Sequence, residues 1–431
     1  MAEHPKILVF TVTSWNSKVG SNTWSSLLNG HPSEFIANIC IRDEVPDSAS
    51  CSRYFLISEN RMIKSVFNRK IKTGLEYPQN NTAPTLSKDL VAHNQRYIKM
   101  KKNRRYSMLL ARELVWKVGC WRTPELDAFL DSFKPDIILH SMEGYIHLNR
   151  IIEYAIKRTG AKAVGYIWDD NFTYKQSTDL GYKIYRFFQR RSLKRLRDLS
   201  SDFFAISPQT KKEADLFFGI DSHLLTKPLL KSPVPQPFSG RTPIKMLYTG
   251  SLIIGRDRSL LRLSRALNEV NREQCKIELD VYTQTTLSDK ELAAIENDYC
   301  HLHQAIPQQE ALQKQNEADI LLFLEDIDGK DSHVARLSFS TKITDYLSTG
   351  KCIFAVGNID TAPMQYFLEN DAAAVCKDDS DIVEHLKRLC STPEIIGEYA
   401  KKAAEAAKRN HDPEQIRSTF NNVIASVLDD K

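Results

Sequence analysis

The chain has 431 residues, 42% of them apolar and 26% charged, with a net charge of +5. That length exceeds one compact core and predicts two domains, while the composition excludes disordered and fibrous classes. Eight cysteines, scattered from Cys40 to Cys390 with no C-x-x-C pair, argue against a zinc ribbon or disulfide scaffold and predict a reducing, cytoplasmic setting.

The opening "MAEHPKILVFTVTSW" has no basic lead and no small-residue cleavage site, so it reads as a first strand and not as a signal peptide. No apolar run approaches the ~20 residues of a membrane-spanning helix. Strands are predicted at 6–12, 35–41, 136–141, 163–168 and 202–207, then at 245–250, 277–283, 318–324, 352–357 and 372–376. Runs such as "DIILH" and "IELDVY" are nearly continuously apolar, as strands covered on both faces are. Amphipathic stretches between them ("TPELDAFLDSF", "LNRIIEYAIKR", "SLLRLSRALNEVN") predict βαβ units and parallel sheets. The segment 227–245 carries five prolines and reads as an extended connector. The chain is therefore expected to form an α/β pair of doubly wound, Rossmann-like domains: 1–230 with the terminal helix 412–431, and 231–411. In that terminal helix Asp412 caps and Pro413 takes the first position.

Ligands of doubly wound sheets bind beyond the carboxyl ends of the strands, so a central cleft between the two domains is expected to hold the chemistry. "SFSTKITDYLSTGKCIFAVG" (338–357) follows such an end. Ser340 or Thr341 caps a helix there, Lys342 adds a cation near unpaired N–H groups, and Asp345 suits a vicinal diol such as a ribose. The plainer alternative is a solvated Lys–Asp pair one turn apart. "YTGSLIIGRDRSLLRL" (248–263) offers Gly250 for close backbone approach and Arg256 for a phosphate, with Arg258 read as solvated. In the first half Gly20 has the same backbone role as Gly250 or is simply a turn. His140, Glu143, Asp169 and Asp170 fall at strand ends on the cleft rim; Glu143 and Asp170 are read as caps or loop carboxylates.

Taken together, "KPDIILHS", "YTGSL…R…LL", "IPQQEALQKQNEADILLFL" and "STKITDYLSTGKCIFA" resemble the retaining GT-B glycosyltransferases of the GT4 type, along essentially the whole chain. The resemblance implies a GT-B fold whose last helix crosses back onto the first domain. Asp345 would stand where the ribose-binding glutamate stands, Arg256 and Lys342 on the diphosphate, and Ile306 and Pro307 in the base pocket with Glu310 nearby. Two positions depart from the pattern. Leu337 stands where many members carry a second glutamate, and Ser251 where an arginine is common. Glu325 is the candidate substitute for the missing acid, while His140 and Asp169 are expected to contact sugar or acceptor.

The positive charge is concentrated. Residues 96–122 carry +8 and residues 183–197 carry +7, both interleaved with aromatic side chains, so the remainder nets −10. Such faces suit an anionic membrane surface, although a charge run is also an ordinary solvated face. No nucleic-acid-binding signature accompanies them. "STGKC" lacks the residues of a P-loop, and "DIDGKDSHV" lacks the spacing of a calcium loop. No metal site and no cofactor are expected.

The resulting expectation is a metal-independent hexosyltransferase at the inner face of the plasma membrane. It would move a sugar from a nucleotide sugar, UDP- or GDP-linked, to a glycan or lipid-linked acceptor in surface polysaccharide synthesis. The alternatives are a non-catalytic, membrane-associated binding or scaffold protein and a sugar-nucleotide epimerase.

Overall fold

The computed structural model describes residues 4–15, 23–43, 46, 50–77, 106–229, 231–274 and 276–429. Gly20 and residues 96–105 of the first basic segment lie outside the described residues. Two compact units form: Met1–Leu225 with Arg417–Lys431, and Thr226–Ile416.

Unit 1 is built on an eight-stranded sheet among the described residues. Its strands are β1 (Ile7–Thr11), β2 (Ile36–Cys40), β3 (Arg53–Ile57), β4 (Gly74–Tyr77), β5 (Ile137–Ser141), β6 (Lys162–Ile167), β7 (Asp202–Ala205) and β8 (His223–Leu224). Their order is β4-β3-β2-β1-β5-β6-β7-β8, and only β4 runs antiparallel to its neighbour. β1 is buried along its whole length, with Ile7 facing Ile36 on one side and Ile137 on the other. Local chemistry starts and stops the covering helices. Thr123 accepts from Leu126 N ahead of Pro124 in the helix Pro124–Phe133, and Asp179 accepts from Tyr182 N ahead of Leu180–Leu199. The helix Pro413–Asp429 begins where Asp412 accepts from Glu414 N and Gln415 N. From Arg417 it belongs to unit 1, where Phe420 stacks on Phe204 of β7.

Unit 2 holds β9 (Ile244–Thr249), β10 (Ile277–Thr283), β11 (Cys300–Gln304), β12 (Ile320–Leu324), β13 (Cys352–Val356) and β14 (Ala374–Cys376). The order is β11-β10-β9-β12-β13-β14, all parallel. Chain order reverses between β9 and β12, which makes that seam the topological switch point; in unit 1 the equivalent seam is β1/β5. Thr226 and Lys227 belong to this unit because they bond its residues: Thr226 Oγ1 to Asn410 O, and Lys227 Nζ to Asp345. The proline-rich connector docks on the turn after the helix Thr341–Leu347, where Gln236 N donates to Gly350 O. Gly350 has φ +69°, and a Cβ there would lie 2.0 Å from Val234 O. Only glycine fits.

Four strands were not among those predicted from the sequence. β4, β8 and β11 are edges with a single neighbour, so they need no continuous apolar run. β3, "RYFLI", did carry that pattern.

Two fully buried histidines, His140 in β5 and His411 after the helix Ile395–Asn410, are each pushed down to about 4 by burial. Neutral in the fold, they charge in the unfolded chain below about pH 6.5, so the unfolded state binds more protons and stability falls as pH drops from there toward 4. The unfolding free energy is expected to fall by roughly 2 kcal/mol per histidine between pH 7 and pH 5, lowering the denaturant midpoint accordingly. An unchanged midpoint would contradict this.

Candidate nucleotide-binding site

The switch point of unit 2 gathers five charged side chains from four segments. Arg256 opens the helix Arg256–Val270 behind Gly255, whose φ of +77° admits no Cβ because Asp326 Cγ would be 2.5 Å away. Its Nε donates to Leu324 O at 3.0 Å, and its Nη2 to Glu325 Oε1 at 2.8 Å. Glu325, 3% exposed, follows β12. Burial raises the Glu325 carboxyl, with Arg256 pulling the other way; for Arg256, burial opposes the charge, but Glu325 together with Tyr248 and Tyr346 outweighs it.

Lys342 comes from the helix Thr341–Leu347. Its ammonium stands 4.6 Å over the Tyr248 ring and 3.4 Å from the Tyr248 hydroxyl, which itself donates to Ser251 O. Burial, then the nearby Arg256, pushes Lys342 down to about 7. Asp345, on the same helix, does not pair with Lys342. Its carboxylate takes Lys227 Nζ at 2.6 Å, and Lys227 is only 2% exposed. Lys227 lies 118 residues away in sequence, so no local signal pointed to it.

Gly250 closes the cluster. Its φ is +145°, and a Cβ would come within 1.8 Å of Lys342 Nζ. Gly250→Ala is expected to displace the ammonium and weaken anion binding at least ~10-fold, besides a strain cost of about 1–3 kcal/mol. Gly240→Ala is the control: it has positive φ with nothing within 4 Å, so it strains the backbone alone. Titration with nucleotide separates the two. Equal affinities in both variants would refute the role given to Gly250.

Several expected residues sit differently. Ser340 occupies the N-cap position but its side chain makes no capping bond. The helix behind it has only seven residues, so the positive charge of the empty site comes chiefly from Arg256 and not from a helix dipole. Ser251 Oγ lies 3.2 Å from Thr285 Oγ1. Ile306 is half-buried beside the exposed Pro307, which precedes the helix Gln308–Glu317; Glu310 is exposed in its first turn. Leu337 is buried at 2% exposure. Arg258, expected to be solvated, is engaged: it bonds Asp326 at 3.0 Å and Asp331 at 2.7 Å, in a loop that Arg262 also grips through Asp328. "EDIDGKD" is thus an arginine-stapled loop. Among the described residues no His/Cys/Asp/Glu group is arranged to hold a metal.

In unit 1 the position of His140 needs correction. It is 0% exposed, with Nε2 2.9 Å from Ser200 Oγ, because its place inside β5 turns the ring into the core and away from any rim. Asp170 accepts from Thr173 N and Thr173 Oγ1, as a loop carboxylate does. Asp169 is half-buried just past β6. Glu143, read from sequence as a cap, is the more suggestive group. It stands past β5 at the β1/β5 seam, half-buried, accepts from Ser141 Oγ at 2.9 Å, and is raised to about 7 by burial and by Asp169. Its loop is pinned at three carbonyls: Asn171 bonds Met142 O, Asn149 bonds Glu143 O, and Tyr185 and Gln189 both bond Gly144 O. A raised carboxyl on so firmly bonded a loop makes Glu143 a candidate for ligand contact.

No protein-family model and no curated protein sequence matches the chain. Solved structures do match, at low identity and nearly full length. Anabaena HepE in complex with UDP and glucose is similar at 8% identity, over 98% of this chain and 100% of that one, with a TM-score of 0.60. Sucrose-phosphate synthase from Thermosynechococcus elongatus matches at 10% identity, 98% of each chain and a TM-score of 0.61. The lipopolysaccharide outer core galactosyltransferase WaaB, in its apo form, matches at 16% identity, 97% and 99% coverage and a TM-score of 0.56. The fold is GT-B. As a GT-B chain it has the two parallel-sheet α/β units that the sequence predicted, and the Arg256–Lys342 cluster occupies the switch point of the second.

Proposed function

We propose that the protein transfers a hexosyl group from a nucleotide-sugar donor, UDP- or GDP-linked, to an acceptor hydroxyl. One observation carries this reading: Arg256 and Lys342 converge at the β9/β12 switch point of a GT-B fold. Two cations in a half-buried site neutralise a departing diphosphate, so this reading asks for no metal ion. Asp345 accepts the ribose hydroxyls, and Ile306 and Pro307 flank the base. Glu325, 3% exposed and bonded to Arg256, is given the part of orienting that arginine in place of the sugar contact the sequence suggested. Asp345, also paired, is 28% exposed and keeps an oxygen for the ribose. Asp169, with Glu143, meets the acceptor in unit 1. The resemblance to GT4 enzymes favours retention, with same-face attack and the departing phosphate taking the acceptor proton.

The test is thermal stabilisation by UDP, GDP and ADP with and without EDTA. A ligand at 100 times its Kd adds about 2.7 kcal/mol. A shift from one diphosphate that survives EDTA supports the reading, and no shift from any of them sinks it.

The acceptor is proposed to be lipid-linked, in surface polysaccharide synthesis at the inner membrane face. The exposed stripe of Leu180–Leu199 favours this: Leu180 at 72% and Phe187 at 54% exposure alternate with exposed Lys183, Arg191, Lys194 and Arg195. The helix Tyr106–Val118, which packs beside it, exposes Met108, Leu114 and Val118. No helix among the described residues is long and apolar enough to cross a membrane. Lys183→Glu with Lys194→Glu is expected to reduce co-sedimentation with anionic vesicles by about tenfold or more; unchanged binding would remove the membrane from the proposal. A second reading, a binding protein without turnover, is favoured by Leu337, which puts a buried hydrocarbon where GT4-like chains carry an acid.

A further inference from the structure

The charge pairing at the switch point leaves one cation over. Arg256, Lys227 and Lys342 face two carboxylates, and the pairing is one to one: Arg256 with Glu325, Lys227 with Asp345. No carboxylate of the described residues lies within ion-pair distance of Lys342 Nζ, whose contacts are the Tyr248 ring and hydroxyl and the Gly250 backbone. The groups facing it are Tyr248 from β9, Arg256 from the helix Arg256–Val270, Glu325 from the end of β12, and Asp345 from its own helix. Partial burial of the amine and a second cation beside it both disfavour the ammonium until an anion arrives.

We infer that Lys342, which has no carboxylate of its own, is only partly charged in the empty site and takes up a proton as a nucleoside diphosphate binds above neutral pH, so that binding is proton-linked. This rests on the donor site proposed above and adds its ionisation chemistry. The step balances simply: the amine nitrogen gains a proton from buffer and the diphosphate supplies the counter-charge. Burial places the free amine near 7, and an adjacent diphosphate moves it upward. Affinity therefore rises as pH falls toward 7 and is lost as pH climbs above it.

The experiment is titration calorimetry with whichever of UDP, GDP or ADP binds, at pH 8 and pH 9, in buffers of different ionisation enthalpy. At these pH values the terminal phosphate, with a second pKa of about 6, is already ionised. Uptake of more than about half a proton per nucleotide is expected at pH 8, rising toward one at pH 9, with affinity falling by up to about tenfold between them. Lys342→Arg keeps a permanent charge, so it is expected to bind with no proton uptake and a flat pH profile over this range. Lys342→Met, with its fold checked by circular dichroism, is expected to bind at least tenfold more weakly and without uptake. Binding by the wild type with no buffer-dependent heat overturns this inference and leaves the donor site standing. Uptake that persists in Lys342→Arg overturns it as well, by assigning the proton to another group. No binding at any pH overturns both.

Discussion

Arg256→Ala is expected to abolish nucleoside diphosphate binding and to destabilise unit 2 by about 3–5 kcal/mol, the cost of breaking a buried pair from one side. Among the described residues Arg256 is the one ion-pair partner of Glu325, a carboxylate 3% exposed, and it also donates to Leu324 O. Without it the carboxyl protonates or drags water into the end of β12. The double variant Arg256→Ala/Glu325→Leu removes the orphaned charge, so most of the stability is expected to return while binding does not. All five tryptophans precede residue 226, so their fluorescence follows unit 1 alone, whereas far-UV circular dichroism follows both units. The single variant should therefore shift the dichroism transition ahead of the fluorescence one. Wild-type affinity in either variant would remove Arg256 from the diphosphate site.

Asp345→Asn is the second large effect. The substitution keeps size and hydrogen bonding but leaves Lys227, 2% exposed, without its counter-ion. About 3–5 kcal/mol is again expected, on the same physical ground. Lys227 also carries a backbone carbonyl bound by His411 Nδ1, whose Nε2 meets the Tyr366 hydroxyl, so the loss spreads to these neighbours within unit 2. Lys227→Met/Asp345→Asn is expected to regain most of the stability. Nucleotide affinity should stay low in both, because the ribose loses its charged acceptor. If Asp345→Asn unfolds at the wild-type midpoint, the ion pair has no structural weight; if it binds nucleotide normally, Asp345 is not the ribose group.

The two predictions show where sequence reading ran short. Gly250 and Arg256 were legible because they closely follow the end of β9, and Lys342 because it opens a helix whose cap and stop are local signals. Glu325 was legible as a strand-end acid, yet its role was not. Whether a carboxylate meets a sugar or an arginine depends on a helix start 69 residues away. His140 shows the same limit from the other side: one residue inside a strand end, a histidine faces the core or the rim according to the pleat.

By itself the sequence determined the parallel α/β architecture in two parts, the proline-rich connector, the terminal helix and the strand ends that carry the cluster. These follow from periodicity, capping and backbone stereochemistry within about ten residues. Only the tertiary structure decided how the charges pair: Asp345 with Lys227, Glu325 with Arg256, and Lys342 with no acid of its own. The pairing energy of half-buried ions depends on distance and desolvation, and neither is encoded in local spacing.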